Sequence, residues 1–178
     1  MGADFTRAFG LTIGYEGSTL DRNPEDTGNW TSGIRGVGAL KGSKFGISAA
    51  AYPSVDIPNL TLADAQAIYQ RDYWTRAGCE GLPWPLCAQV FDAAVNNGVG
   101  RAQQWLKAAA IAAQGAAGLV ADGVIGPQTK AALARPEIAR AAALEFVAQR
   151  MNFMGGLAGW RTFGLGWARR LVAQAALT

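Results

Sequence analysis

Between Gly17 and Ser48 glycine stands at positions 17, 28, 33, 36, 38, 42 and 46, with Pro24 among them. No continuous helix survives that density, because each glycine in a helix interior costs about 1 kcal/mol relative to alanine. With its polar residues, the run reads as turns and short strands, a small β-rich lobe in which Lys44-Phe45-Gly46-Ile47-Ser48 forms a strand.

The rest of the chain has helical periodicity. Phe5, Phe9 and Ile13 predict a first helix from Asp4 to Glu16, ending at Gly17, with Glu16 projected onto the same apolar face. Thr61 and Asp64 open a second helix in a variant of the capping-box pattern, through Ile68 and Tyr73 to about Gly78. A third covers Leu86 to Asn97 and stops at Gly98. Four more are expected over 101–114, 127–134, 136–154 and 160–176, with Pro127 and Pro136 at first helical positions. The fold class is therefore mainly α with a small β-rich lobe (α+β). We expect region 1–98 and a helical region 99–178 to act as lobes of one compact unit, since 178 residues, half of them apolar, suffice for one core.

The sequence contains no histidine, which removes His-based triads, His metal sites and His general bases together. Two cysteines, Cys79 and Cys87, cannot build a four-thiolate zinc site. They flank the turn Gly81-Leu82-Pro83-Trp84-Pro85, and either a local disulfide or, in a cytoplasmic protein, two buried free thiols fits them. No metal or organic cofactor is implied. The net charge of +3 is mild, and scattered Lys and Arg without a basic run give no support for nucleic-acid binding. The amphipathic N-terminus lacks the uninterrupted apolar core of a signal peptide, and residues 108–121 are too short to span a bilayer, so we expect neither a secretion signal nor membrane insertion.

Acid–base work thus falls to carboxylates. Glu16, Asp21, Glu25 and Asp26 lie at the end of the first helix and in the glycine-rich stretch beyond it. Such a set offers the pair that glycoside hydrolysis uses, a dry protonated acid and a second, better-solvated carboxylate. Glu16 fits the first role, its apolar face favouring the protonated form, and Asp26 the second. The competing reading of Glu16 is a helix-end carboxylate paired with an Arg or Lys.

Tyr15-Glu16-Gly17, Asn23-Pro24-Glu25-Asp26-Thr27-Gly28-Asn29-Trp30, Lys41-Gly42-Ser43-Lys44-Phe45-Gly46-Ile47-Ser48, Tyr69-Gln70-Arg71-Asp72-Tyr73-Trp74 and Phe91-Asp92-Ala93-Ala94-Val95-Asn96-Asn97-Gly98 together resemble glycoside hydrolase family 108, from residue 13 to 107 and in the family's order. That family comprises N-acetylmuramidases, many of them phage endolysins. The resemblance implies a lysozyme-like fold, with the substrate cleft between the β lobe and the helices, and Glu16 as the catalytic acid, although Ser18 replaces the second glycine of the family's Glu-Gly-Gly stretch. Asp26 best matches the second carboxylate, and Asp21 and Glu25 also fit because the stretch before Pro24 holds an extra residue. Ser43 takes the place of the family's threonine and keeps a hydroxyl able to hold a water.

Trp30, in the polar loop beside Asp26, and Tyr73 are candidates for contact with sugar, whereas the remaining aromatics are expected to fill the core. Asp92, Asn96 and Asn97 either bind sugar groups in the cleft or form a buried structural network. Asp122-Gly123-Val124-Ile125-Gly126-Pro127-Gln128-Thr129-Lys130-Ala131-Ala132-Leu133 resembles the signature of helical peptidoglycan-binding modules. Its local reading is a turn, a helix start, and packing through Ala131 and Leu133.

The reading that follows is a monomeric peptidoglycan hydrolase cutting between N-acetylmuramic acid and N-acetylglucosamine. An endolysin of this kind is made in the host bacterial cytoplasm and reaches the wall through a separate membrane-permeabilising partner, a holin. A lytic transglycosylase and a non-catalytic wall-binding protein are the competing functions.

Overall fold

The computed structural model describes residues 2–14, 17–114 and 125–178. Its helices are α1 (Ala3–Thr12), α2 (Leu62–Tyr69), α3 (Leu86–Asn97), α4 (Val99–Gln114), α5 (Pro127–Leu133), α6 (Pro136–Gly155) and α7 (Trp160–Ala175), and β1 (Ser43–Lys44) pairs antiparallel with β2 (Ile47–Ser48). The fold is mainly α with one two-stranded sheet, the class that the periodicities predict.

Two expected elements differ. The first helix stops at Thr12 because Gly14 takes φ +65°, the left-handed conformation that ends helices. The face of Phe5 and Phe9 is thus carried by the helix as far as Thr12, and Glu16, which the periodicity put on that face, lies outside the described residues. The expected strand 44–48 is instead a hairpin. Phe45 (φ +53°) and Gly46 (φ +74°) form its two-residue turn, the doubly left-handed geometry that matches strand twist.

Two compact units divide the chain, residues 9–71 and residues 1–8 with 72–178. The boundary expected at residue 98 falls inside the second unit, because α3 packs on both α4 and α6. In that helical unit Phe5, Trp74 and Phe91 meet edge to face with ring centroids 5.5 to 5.8 Å apart, each contact stabilising by roughly 0.5–1.5 kcal/mol beyond area burial. The α6 and α7 helices share a second cluster, Val147, Met154 and Leu171, backed by Trp160 and Trp167.

Among these apolar contacts lies a buried carboxylate. Asp92 of α3 accepts from Arg150 Nη1 of α6 at 2.6 Å and from Arg170 Nε of α7 at 3.0 and 3.1 Å, and Arg170 Nη2 closes a second contact. Arg150 Nε also donates to Asn97 Oδ1 at 2.8 Å. Burial pulls the Arg150 guanidinium below its ordinary value, and Asp92 opposes that shift. Removing one member leaves a buried charge uncompensated. Asp92→Asn is thus expected to cost about 3–5 kcal/mol and to lower the melting temperature by roughly 6–20 °C, measured by calorimetry.

In the other unit, Thr61 caps α2 with the expected capping box: Asp64 N donates to Thr61 Oγ1 at 3.2 Å, while Thr61 Oγ1 and N donate back to Asp64 at 2.6 and 3.1 Å. These bonds hold the Asp64 carboxyl below its ordinary value. Past Tyr69 the helix widens into a π-turn over Gln70–Thr75, and Gly78 at φ +75° closes the segment.

Cys79 and Cys87 are free and buried. Burial pushes Cys87 up to about 12 and Cys79 well above its ordinary value, with the neighbouring acids Asp4 and Glu80 adding to the respective shifts. Thiolate is the reactive form, so at pH 8 neither cysteine should react with a thiol reagent in the folded protein, and both should react in guanidinium. Fast labelling of the native protein would contradict the described burial.

Candidate active site

Asp21, Glu25, Asp26 and Ser43 fall in the unit of residues 9–71, and Glu16 lies outside the described residues. What shapes the glycine-rich stretch of this unit is main-chain bonding. Asp21 and Ser43 exchange backbone hydrogen bonds of 2.9 and 2.8 Å, Phe45 N donates to Gly17 O at 2.7 Å, and the Asn29 carbonyl accepts from both Lys41 N and Gly42 N. The hairpin carrying Ser43 is thereby tied to Asp21 on one side and, at its turn, to the residue that follows Glu16 in the chain.

Close approach decides where glycine is required. A Cβ on Gly42 would stand 2.3 Å from the Asp21 carbonyl oxygen, and one on Gly46 would stand 2.6 Å from Tyr69 Oη. The second contact locks the turn. Buried Tyr69 donates from Oη to the Phe45 carbonyl at 3.1 Å and packs edge to face on Phe9.

The three candidates for the second carboxylate differ in their surroundings. Glu25 is exposed and paired with exposed Arg35. Asp26 Oδ1 accepts from Gly28 N at 2.8 Å and so caps the short 3-10 turn Thr27–Asn29, which leaves its other oxygen outside that bond on an exposed side chain. Asp21 Oδ1 accepts from Asn23 N at 2.8 Å, and because Asp21 lies directly opposite Ser43, the two side chains share a face. Trp30 is half-buried, its indole Nε1 donating to the Pro24 carbonyl at 2.9 Å, and its backbone bridges Leu40. The loop carrying Asp26 is thus closed over an aromatic ring.

Tyr73, Asp92, Asn96 and Asn97 belong to the helical unit. Asp92 has both carboxylate oxygens engaged by Arg150 and Arg170, and Asn97 Oδ1 is taken by Arg150. Of the two roles read from the sequence, these residues occupy the buried network, because an isolated carboxylate in a helix core needs cationic partners. Exposed Asn96 donates to the Asp92 carbonyl at 2.8 Å, and Tyr73 is half-buried. Asp122 to Val124 of the peptidoglycan-binding-like signature lie outside the described residues. In its described part Thr129 is buried and accepts from Lys107 Nζ at 2.9 Å, and it is Ala132 with Leu133 that packs, while Ala131 is exposed.

Sequence reasoning missed the residues that hold the loops. Buried Asn29 donates from its side chain to the Asn23 carbonyl at 3.1 Å, Arg22 Nη2 donates to the Leu40 carbonyl at 2.7 Å, and Lys41 Nζ donates to the Pro53 carbonyl at 2.7 Å. Their only signal was polar residues interleaved with glycines, which marks a loop without saying which carbonyls it satisfies.

A helical fold with carboxylates on a glycine-rich hairpin unit is that of a lysozyme-like protein. Among solved structures the chain is similar to SagA of Brucella abortus, with 26% identity and a TM-score of 0.69 over 97% of this chain and 91% of that one. Comparison with curated proteins gives no match. The family model described as glycosyl hydrolase 108 matches residues 9–98, about half of the chain, and the protein belongs to that family. It is a glycoside hydrolase, and its family assigns it to peptidoglycan hydrolysis in general.

Tyr69→Phe removes the bond that fixes the turn and should destabilise the protein by about 1 kcal/mol. Gly46→Ala places a Cβ against Tyr69 Oη at a positive φ, so it should lower both melting temperature and wall hydrolysis more than Tyr69→Phe does. Normal turbidity clearing and melting in Gly46→Ala would show that the turn tolerates displacement.

Proposed function

We propose that the protein is an N-acetylmuramidase, hydrolysing the bond between N-acetylmuramic acid and N-acetylglucosamine, with Glu16 as the proton donor and Asp26 as the second carboxylate. The observation that carries this reading is that one compact unit, inside the family match, contains Asp26, Ser43 and the chain on either side of Glu16. A protonated Glu16 would deliver its proton to the leaving glycosidic oxygen. The exposed oxygen of Asp26 would activate water or stabilise positive charge at the sugar, and Ser43 would hold that water.

Asp21 is the second reading for the water-activating carboxylate, favoured by its position opposite Ser43. Glu25, neutralised by Arg35, has less to offer. In cells the protein is proposed to act as an endolysin, made in the cytoplasm and admitted to the wall by a holin. The resemblance to phage enzymes supports this, and expression with and without a holin tests it through the timing of lysis.

Glu16→Gln is expected to lower wall hydrolysis by about 10²–10⁴-fold with the melting temperature held within about 2 °C. Retained hydrolysis removes Glu16 from the mechanism, and a large fall in melting temperature makes it a structural ion-pair partner. Asp26→Asn should lose activity to a similar degree while Asp21→Asn and Glu25→Gln keep most of it; the reverse pattern for Asp21 assigns the role there. Product mass separates the rival reaction, since hydrolysis adds one water to each cut and lytic transglycosylation adds none.

A further inference from the structure

The charge of the chain is unevenly distributed. Residues 125–178 carry seven Lys or Arg against two Glu, a net of +5, whereas residues 1–124 carry nine basic against eleven acidic residues, a net of −2. Within the basic part, α7 has Arg161, Arg169 and Arg170 and no acidic residue. Arg170 is committed to Asp92, while Arg161 and Arg169 are exposed.

The same helix exposes large apolar side chains. Phe163 is 59%, Leu165 67% and Val172 63% exposed, although α7 already buries a different face, Gly164 and Leu171, with Trp160 and Trp167 beside them. At about 100° per residue, Arg161, Val172, Leu165 and Arg169 fall within roughly 80° of one another, in a sector centred about 120° from Leu171. The outer surface of α7 is therefore a second stripe in which two apolar side chains alternate with two guanidinium groups.

Leu165 and Val172 are aliphatic and offer no flat ring face on which a sugar could stack, so an anionic polysaccharide would engage the arginines and leave the apolar half of the stripe unused. Apolar and cationic side chains together match a surface offering both hydrocarbon and anionic headgroups. No described helix is long and apolar enough to cross a membrane, so such binding would be peripheral. We propose that the outer face of α7 docks the protein on anionic lipid bilayers, with Leu165 and Val172 entering the headgroup boundary and Arg161 and Arg169 pairing with lipid phosphates.

The test is flotation of the full-length protein with vesicles of phosphatidylglycerol and phosphatidylcholine, against phosphatidylcholine alone, with pelleting on purified peptidoglycan run in parallel. Binding is expected to need phosphatidylglycerol. Arg161→Gln with Arg169→Gln should weaken it about 30-fold, at about fivefold per arginine, and Leu165→Gln with Val172→Gln by about tenfold or more. All four positions are exposed, so melting temperatures should hold, and a variant that melts early is replaced by its single substitutions. No binding to anionic vesicles overturns the proposal, as does binding insensitive to the Leu165 and Val172 changes. Loss of peptidoglycan pelleting in the arginine variants without vesicle binding would make the stripe a wall-polymer site instead.

Discussion

A single carboxylate organises the helical unit. Asp92 projects from α3 into a region where water is excluded, and two guanidinium groups from α6 and α7 converge on it. The consecutive helices α6 and α7 thus acquire one mutual register with α3, far back in the sequence, because a buried charge tolerates few arrangements of its partners. Apolar contacts such as Leu171 against Val147 and Met154 supply most of the favourable burial, but they are not directional. The ion network adds direction and fixes how far each helix slides along the others.

The glycine-rich stretch from Asp21 to Gly42 is held by other means. Between Asp21 and Gly42 Asn29 alone presents a buried side chain, and the chain is folded on itself by backbone amides meeting carbonyls. Buried polar groups require such partners, and here Asn29, Arg22 and Lys41 bring donors to carbonyls that no strand ladder reaches. The candidate carboxylate Asp26 is held in the same way, since the main-chain bond from Gly28 N fixes its side chain without neutralising it.

Helices were legible in the sequence wherever apolar spacing, capping and glycine stops agreed. The α3 helix ends at both expected residues, and Pro127 and Pro136 open α5 and α6. The first helix was misread because periodicity continued through Ile13 while Gly14 changed the backbone hand, and only φ reveals which glycine ends a helix. Phe45 concealed the hairpin for a related reason: a bulky residue seldom adopts positive φ, so the five-residue run looked like one strand. For the site, motif order singled out the candidate carboxylates, but their surroundings depend also on pairings between residues well separated in sequence, such as Asp21 with Ser43. The arginines around Asp92 were illegible for the same reason, lying 58 and 78 residues away along the chain.

A unit shaped by its main chain has a further property. Ile34, Arg35 and Val37 sit exposed at a loop whose path is set by Thr31 accepting from Ala39 N through its hydroxyl and donating from its amide to the Ala39 carbonyl, and by Ser32 donating to the Val37 carbonyl. Scaffold and display are carried by different atoms. Side chains at the tip can be exchanged for others of different size and polarity with little effect on the path of the backbone, because the bonds that set it lie on hydroxyls and main-chain groups that such exchanges leave in place.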